Sequence, residues 1–180
     1  MASEIGSVIE MRRPFKVGEN VVCPAHGVGE VVGIEVINIS GAEQLFYVIS
    51  IVETGIRVFV PTAGSCTLGL RNIIGEGEAR KVFRILRSKE IAVQERPWSK
   101  RCKRYSQMLK TGSPYDVAQV LRDLLRLKRG KELSFAERRL LNTARTLLVK
   151  ELALARSTTE VLISQQIDRI FKAKTDRATA

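Results

Sequence analysis

The sequence lacks long apolar runs and has few cysteines, and both shortages exclude classes of protein. No apolar run approaches the roughly 18 residues that cross a bilayer, and the first residues lack the pattern of a secretory signal. The three cysteines, Cys23, Cys66 and Cys102, lie far apart and form no C-x-x-C pair. We therefore expect free thiols rather than disulfides or a zinc site, in a cytoplasmic protein that contacts no membrane.

Histidine is almost absent, which argues against catalysis. His26 is the only histidine and lies in the turn Pro24–Gly27, where histidines are mostly structural or exposed to solvent. The glycines between residues 27 and 33 fail the dinucleotide-binding fingerprint, because the third comes one place late and a strand follows. No Walker lysine, HExxH motif or paired-carboxylate motif is present. We predict a protein that is not an enzyme and needs no cofactor; an enzyme that uses His26 is the alternative.

What the chain has in excess is positive charge, and that charge is concentrated in its middle. The whole chain has a net charge of +11. Residues 1–79 carry five Lys or Arg and nine Asp or Glu, a net charge of −4, whereas residues 80–150 carry twenty against six, a net charge of +14. Residues 151–180 carry five against four, or +1. A positive block confined to one region indicates a directed face for a polyanion, and the acidic first part is not expected to bind nucleic acid.

Short β-rich runs fill the first third of the chain. They end at turn signals, namely Pro24–Gly27, Ser40-Gly41 and Glu53-Thr54-Gly55. In the last run, Ile56, Val58 and Val60 share one face, while Arg57 and Phe59 point the other way. Four or five such strands, joined by short hairpins, predict a small antiparallel β-barrel.

The rest of the chain has helical periodicity and helix caps. Apolar residues recur at helical spacing over residues 75–87, 99–110, 113–127, 134–152 and 157–171. Ser113-Pro114 predicts an N-cap followed by proline at the first helical position. Ser134 and Glu137 form a predicted capping box, and Ser157 and Glu160 repeat that signature. Four or five short helices predict a compact all-α bundle, so the fold class is α+β with two domains.

The segment from Arg96 to Tyr105 is the strongest candidate for contact with a polyanion. It holds the only tryptophan, Trp98, and five Lys or Arg, and no acidic residue occurs between Arg96 and Lys110. On a helix, one face carries Lys100, Lys103, Arg104, Gln107 and Lys110, with Arg101 at its edge. The opposite side carries Cys102, Tyr105 and Leu109. Further positive charge comes from Arg122, Arg126, Lys128, Arg129, Lys131, Arg138 and Arg139. A solvated charged face is the alternative, but cations that repel one another favour an anionic partner such as phosphate.

Two aromatic residues each have two interpretations. Trp98 packs in the core if the helix begins before it, and projects beside the cations if Ser99 is the N-cap. A ring projecting there could stack on bases or wedge into a widened minor groove. Phe59 lies two residues before Pro61, the proline that ends the predicted strand. Proline is tolerated on an edge strand, so this strand is a candidate for the edge of the sheet. Phe59 is either exposed to a partner strand or packed under the helical domain.

The segment from Phe15 to Gly29 resembles the opening of the CarD/CdnL family of bacterial transcription regulators. The resemblance continues through residues 57–61 (RVFVP), 69–71 (GLR), 98–101 (WSKR), 121–124 (LRDL) and 133–138 (LSFAER), and ends near residues 151–155 (ELALA). It therefore covers most of residues 14–155. Many matched segments in the same order make it more specific than any single motif in the chain.

The resemblance implies a Tudor-like RNA polymerase-interaction domain, over residues 13–67, and a helical DNA-binding domain, over residues 68–173. Residues 1–12 show no periodicity and are expected to be a disordered tail, and residues 174–180 a second tail. In the family, the first domain binds the polymerase β subunit. The second contacts promoter DNA at the upstream edge of the transcription bubble, where a tryptophan wedges into the minor groove. The expected DNA-binding residues are Trp98, Lys100, Arg101, Lys103 and Arg104. The expected polymerase-binding residues are Ile37, Arg57, Phe59 and Pro61.

The chain departs from its relatives at several of these positions. Some relatives carry arginines where this chain has Ile37 and Phe59, so an apolar contact would replace an ionic one. Lys100 stands where close relatives often have arginine, and Cys102 replaces an aromatic residue. We expect a monomer that acts with the sigma-containing holoenzyme, is nucleoid-associated through polymerase, and stabilises the open promoter complex. A free-standing architectural DNA-binding protein that needs no polymerase is the alternative.

Overall fold

A computed structural model of the chain describes residues 15–66, 68–90 and 98–172. The predicted tails at 1–12 and 174–180, and Arg96 and Pro97 of the basic segment, lie outside these ranges. The chain divides into two compact units. Of the described residues, the first unit contains those up to Cys23 together with those from Val28 to Asn72, and the second contains Pro24–Gly27 and those from Ile73 onward.

The first unit is an antiparallel sheet of five strands. The strands are β1 (Asn20–Cys23), β2 (Gly27–Ile39), β3 (Ala42–Ile51), β4 (Arg57–Pro61) and β5 (Arg71–Asn72). Their order in the sheet is β4-β3-β2-β1-β5, so β4 and β5 form the two edges and the sheet is open. The predicted β-barrel is therefore not closed, because no pairing joins these two edge strands among the described residues. The α+β class is confirmed.

The β2–β3 hairpin follows the turn chemistry of its sequence. Ile39 pairs with Ala42, which leaves Ser40 and Gly41 as a two-residue loop. Both loop residues have positive φ, at 53° and 86°, as the type I′ turn of a tight hairpin requires. The backbone N–H of Gly41 also donates to Asn38 Oδ1 at 3.0 Å.

The strand register separates a core face from an outer face. Directly paired residues share a side of the sheet, so Tyr47 and Val60 face the core together, and Val48 and Phe59 lie on the other side, where Val48 is buried and Phe59 is exposed. The sequence predicts Ile56 on the same face as Val58 and Val60, but its side chain is exposed, whereas Val60 is buried. Ile56 precedes β4, and its carbonyl oxygen closes the turn by accepting from the N–H of Ile51 at 2.9 Å.

The second unit consists of five helices in the described part of the chain. They are α1 (Glu76–Arg87), α2 (Trp98–Lys110), α3 (Pro114–Gly130), α4 (Phe135–Ala155) and α5 (Glu160–Lys172). Their shared core is made of apolar side chains at helical spacing, with Leu121, Leu124 and Leu152 fully buried. Among the described residues, none of these helices is both long and apolar enough to span a bilayer.

The helix starts test the predicted caps. Ser113 is the N-cap of α3, and its side chain accepts from the N–H of Asp116. The capping box of Ser134 and Glu137 begins α4, so both predictions are confirmed. The predicted cap at Ser157 is wrong. Ser157 lies in the turn after α4 with a φ of 47°, and Thr159 caps α5 instead by accepting from the N–H of Leu162.

Candidate functional site

One face of α2 carries exposed cations without a carboxylate. Lys100, Lys103, Arg104 and Lys110 are all exposed, together with Gln107, and we call these five residues the basic face of α2. The predicted grouping is confirmed. On the opposite side, Cys102 is half-buried and Tyr105 and Leu109 are buried. The helix has no acidic residue in its first turn, so its own sequence offers no neutralisation of these charges.

A buried hydrogen-bond network anchors α2 to α3. The hydroxyl of Tyr105 donates to Asp123 Oδ2 at 3.3 Å, and Nε of Arg122 donates to Asp123 Oδ1 at 3.0 Å. Burial raises the pKa of Tyr105 well above its usual value, and the negative charge of Asp123 adds to the shift. Tyr105 therefore stays protonated and remains a donor to Asp123, which links α2 to α3.

Two arginines of α3 bind the chain that leaves α1. Arg122 is only 2% exposed, and its guanidinium donates to Ser88 Oγ at 3.1 Å. Arg126 donates to the carbonyl oxygens of Ser88 and Glu90. The expectation that Arg122 adds to the surface charge is therefore wrong, because its side chain lies in the core beside Asp123.

Trp98 is the first residue of α2 and is half-buried. Ser99 lies inside the helix, so the hypothesis that Ser99 caps it with Trp98 outside is wrong. The alternative, in which Trp98 is a core residue, is not met either, because Trp98 is absent from the buried cluster of the helical unit. The guanidinium carbon of Arg101 lies 5.3 Å from the centroid of the indole, within the range of a cation–π contact.

Arg101 differs from the other cations of α2. Its side chain is 19% exposed, and its NH2 lies 3.9 Å from Oε1 of Glu137 on α4. Glu137 is 1% exposed and also accepts from Lys131 Nζ at 3.0 Å and from the N–H of Ser134 at 2.6 Å. Burial alone would raise the pKa of Glu137, but these hydrogen bonds and the charge of Lys131 hold that pKa below its usual value.

The start of α4 also presents an aromatic ring that the sequence did not single out. Phe135 is 78% exposed at the first position of α4. The capping box could have predicted this exposure. Phe135 directly follows the N-cap Ser134, so it comes before the buried stripe of the helix begins. Nearby, an open cleft of about 410 Å³ is lined by Lys128, Arg129, Lys131 and Arg138 among others. These four cations are exposed, as the sequence suggested.

In the first unit, the expected polymerase-binding residues point to one side of the sheet. Every second residue of the edge strand β4 belongs to this set, namely Arg57, Phe59 and Pro61, so their side chains share one side of the sheet. The register places Ile37 on the same side, but on β2, with β3 between it and β4. Phe59 is 46% exposed, as an edge contact requires, whereas Pro61 and Ile37 are half-buried. An edge strand offers unpaired backbone N–H and C=O groups to another chain.

The thiols and the metal-ligating side chains form no further site. Cys23, Cys66 and Cys102 are free, and burial raises the pKa of the Cys23 thiol. In the described ranges, no three histidine, cysteine or acidic side chains come together to hold a metal ion.

Comparison with known proteins gives two family matches in the same order as the two units. The CarD-like/TRCF RID domain matches residues 15–74, and the CarD C-terminal domain matches residues 81–168. The putative transcription factor YdeB of Bacillus subtilis is 30% identical over 146 residues, which cover 81% of this chain and 95% of that protein. The solved structure of CdnLNt from Myxoccoccus xanthus is 47% identical over 33% of this chain and 84% of that chain; its TM-score of 0.29 is too low to support a structural argument. The chain therefore belongs to the CarD/CdnL family of bacterial RNA polymerase-binding transcription regulators.

Proposed function

We propose that the protein binds the RNA polymerase β subunit through its sheet and promoter DNA through its helices, and that it stabilises the open promoter complex. The observation that carries the DNA half is the basic face of α2, where four exposed cations occur without a carboxylate on the helix. The domains would be residues 13–67 for polymerase and 68–173 for DNA.

Phosphate is the ligand that these cations would bind. Lysine and arginine neutralise backbone phosphates and release counterions, which gives affinity without reading base sequence. Lys100, Lys103 and Arg104 lie within little more than one turn of α2, so they would follow one stretch of DNA backbone. Base specificity should accordingly be slight.

Trp98 would supply the contact that favours opened DNA. It begins the same helix and is partly accessible beside the cations. An apolar side chain inserted between base steps costs unstacking energy in a closed duplex, but less where the strands are already separated. Trp98 would therefore slow the collapse of the bubble more than it strengthens binding to closed DNA.

The outer side of β4 would hold polymerase. Phe59 and Pro61 offer an apolar contact at a sheet edge, and Arg57 adds a charge on the same side. Tethering to polymerase raises the effective concentration of the basic face at the upstream fork, so modest DNA affinity would suffice. The partner would be the sigma-containing holoenzyme, with the protein acting as a monomer.

Phe59→Glu in the full-length chain tests the tether. We expect loss of polymerase binding in a pull-down and loss of promoter activation in transcription in vitro, with unchanged binding to bare duplex DNA. Val36→Glu is the matched control, because Val36 is also an exposed apolar residue of the sheet but its register places it on the other side from Phe59. If Phe59→Glu leaves promoter activation intact, the polymerase-independent architectural function is the better account.

A further inference from the structure

The carboxylate of Glu137 connects α4 to the start of α2. It is almost completely buried, and it receives hydrogen bonds from the N–H of Ser134 and from Lys131 Nζ. Arg101 of α2 faces the same oxygen that accepts from Lys131, at the longer distance of 3.9 Å. A buried carboxylate with this many donors keeps a fixed orientation, so it is a rigid reference point for the guanidinium of Arg101.

Arg101 has a particular need for such an anion. It lies in the first turn of α2, where the helix dipole disfavours positive charge, and that turn contains no acidic residue. Lys103 belongs to the same helix but is exposed to water, which screens its charge. Because Arg101 is largely shielded, the charge of Glu137 acts on it more strongly than on the exposed lysine.

The same guanidinium group lies over the indole of Trp98. Its carbon is 5.3 Å from the ring centroid, so the same guanidinium group lies over the ring and within 3.9 Å of the carboxylate of Glu137. A half-buried tryptophan at the first residue of a helix has several staggered rotamers open to it, and a cation over its face favours one of them.

We propose that Arg101 is a positioning residue: Glu137 fixes its guanidinium, and the guanidinium holds the indole of Trp98 in one orientation. The consequence for DNA rests on the proposed role of Trp98 in the open complex. A ring that is already ordered loses less conformational freedom on insertion, so the pair pre-organises the wedge. In this account, Arg101 does not contact phosphate itself, unlike Lys100 and Lys103.

The fluorescence of Trp98 tests the positioning directly, because the chain has no other tryptophan. We expect Arg101→Gln and Glu137→Gln to make the indole more accessible, raising its acrylamide quenching constant about twofold in the free protein, as loss of a cation–π contact predicts. Arg101→Lys should restore part of the effect. Glu137→Gln keeps an amide oxygen that can accept from Ser134, so it removes the charge while leaving a helix cap possible.

Two controls separate positioning from other effects. Lys103→Gln removes a charge from the same helix and should leave quenching unchanged. Ser134→Ala weakens the cap of α4 but keeps the charge of Glu137, so it should also leave quenching unchanged. If Ser134→Ala raises quenching as much as Glu137→Gln, the effect is a loosened α4 and the proposal is wrong. Thermal unfolding by circular dichroism will show that each variant is folded when quenching is measured.

A DNA arm distinguishes positioning from phosphate contact. The salt dependence of duplex binding should fall by about 0.9 in log–log slope for Lys103→Gln and remain unchanged for Arg101→Gln. A reduced slope with unchanged quenching for Arg101→Gln would overturn the proposal, because it would make Arg101 an ordinary phosphate contact. If Trp98→Ala leaves open-complex lifetime unchanged, the proposed function fails, but the quenching result still decides whether Arg101 positions the ring.

Discussion

Removing the carboxylate of Asp123 should destabilise the helical unit more than most single substitutions. Asp123 is the acceptor for both Arg122 and Tyr105, and all three side chains are buried. In Asp123→Ala the guanidinium of Arg122 keeps its hydrogen bond to Ser88 Oγ but loses its counter-ion. The hydroxyl of Tyr105 loses Asp123 Oδ2 as its acceptor.

The magnitude follows from leaving a charge in the core. Breaking a buried ion pair by removing one partner costs about 3–5 kcal/mol, because the remaining charge is neither solvated nor paired. Tyr105→Phe removes only one hydrogen bond and should cost about 1–2 kcal/mol. The free energy of unfolding of an ordinary domain is about 5–15 kcal/mol, so Asp123→Ala should remove a large share of it.

Urea denaturation followed by far-ultraviolet circular dichroism measures the effect, since the helices dominate that signal. The matched control is Glu132→Ala, which removes an exposed carboxylate and should change the free energy of unfolding by less than about 0.5 kcal/mol. A double variant, Arg122→Met with Asp123→Leu, should recover much of the loss, because it removes both charges together. A loss of less than about 1 kcal/mol in Asp123→Ala would refute the reasoning that this pair is a buried ionic contact.

Three further predictions concern the surface and the helix caps. Lys100→Ala should lower the log–log salt slope of duplex binding by about 0.9 if it contacts one phosphate, and an unchanged slope in a fluorescence-anisotropy titration would remove that assignment. Ser113→Ala should cost about 1 kcal/mol in urea denaturation, because it removes the acceptor for the N–H of Asp116, and Ser99→Ala, at an exposed position within α2, is the control. The folded pKa of Glu137 is lowered, so its ionised form stabilises the fold above the unfolded pKa of about 4.3, and that contribution is lost as pH falls through the folded pKa. The stability difference between the wild type and Glu137→Gln should therefore be constant near neutral pH and shrink below about pH 4.3; a constant difference down to pH 3 or so would contradict it.

The parts of the fold that depend on local chemistry could be predicted from the sequence. Ser113 and the pair Ser134 and Glu137 cap their helices as expected, since an N-cap needs only residues within one turn. The outward direction of Phe59 follows from the period-two alternation of a strand. The basic face of α2 is likewise a matter of spacing within one helix.

The wrong predictions arose where two local sequence signals compete, or where pairing between distant strands determines the structure. Ser157 and Thr159 are both possible caps only two residues apart, and the chain places the former in a turn with positive φ. Ile56 continues the alternation of β4 in sequence, but the turn after β3 ends on its carbonyl oxygen. Whether the sheet closes depends on pairing between its first and last strands in space, which no local pattern encodes.

The candidate site shows the same limit in its charges. Arg101 and Glu137 are far apart in sequence, and the spacing of α2 places Arg101 merely at the edge of the basic face. Only the packing of α4 beside α2 brings a buried carboxylate to it. For Trp98, the sequence left two interpretations open, and the half-buried ring at the first residue of α2 matches neither.

Net charge is therefore a poor guide to how many cations can face DNA. The block of residues 80–150 has a net charge of +14, but several of its arginines bind groups inside the protein. Arg122 pairs with Asp123 in the core, and Arg126 binds backbone carbonyl oxygens beyond α1. Counterion release depends on the number of phosphates contacted and not on the total charge of a domain. The exposed cations of α2 are stronger evidence for DNA binding, because their helix carries no carboxylate that could neutralise them. A phosphate backbone would supply the missing negative charge.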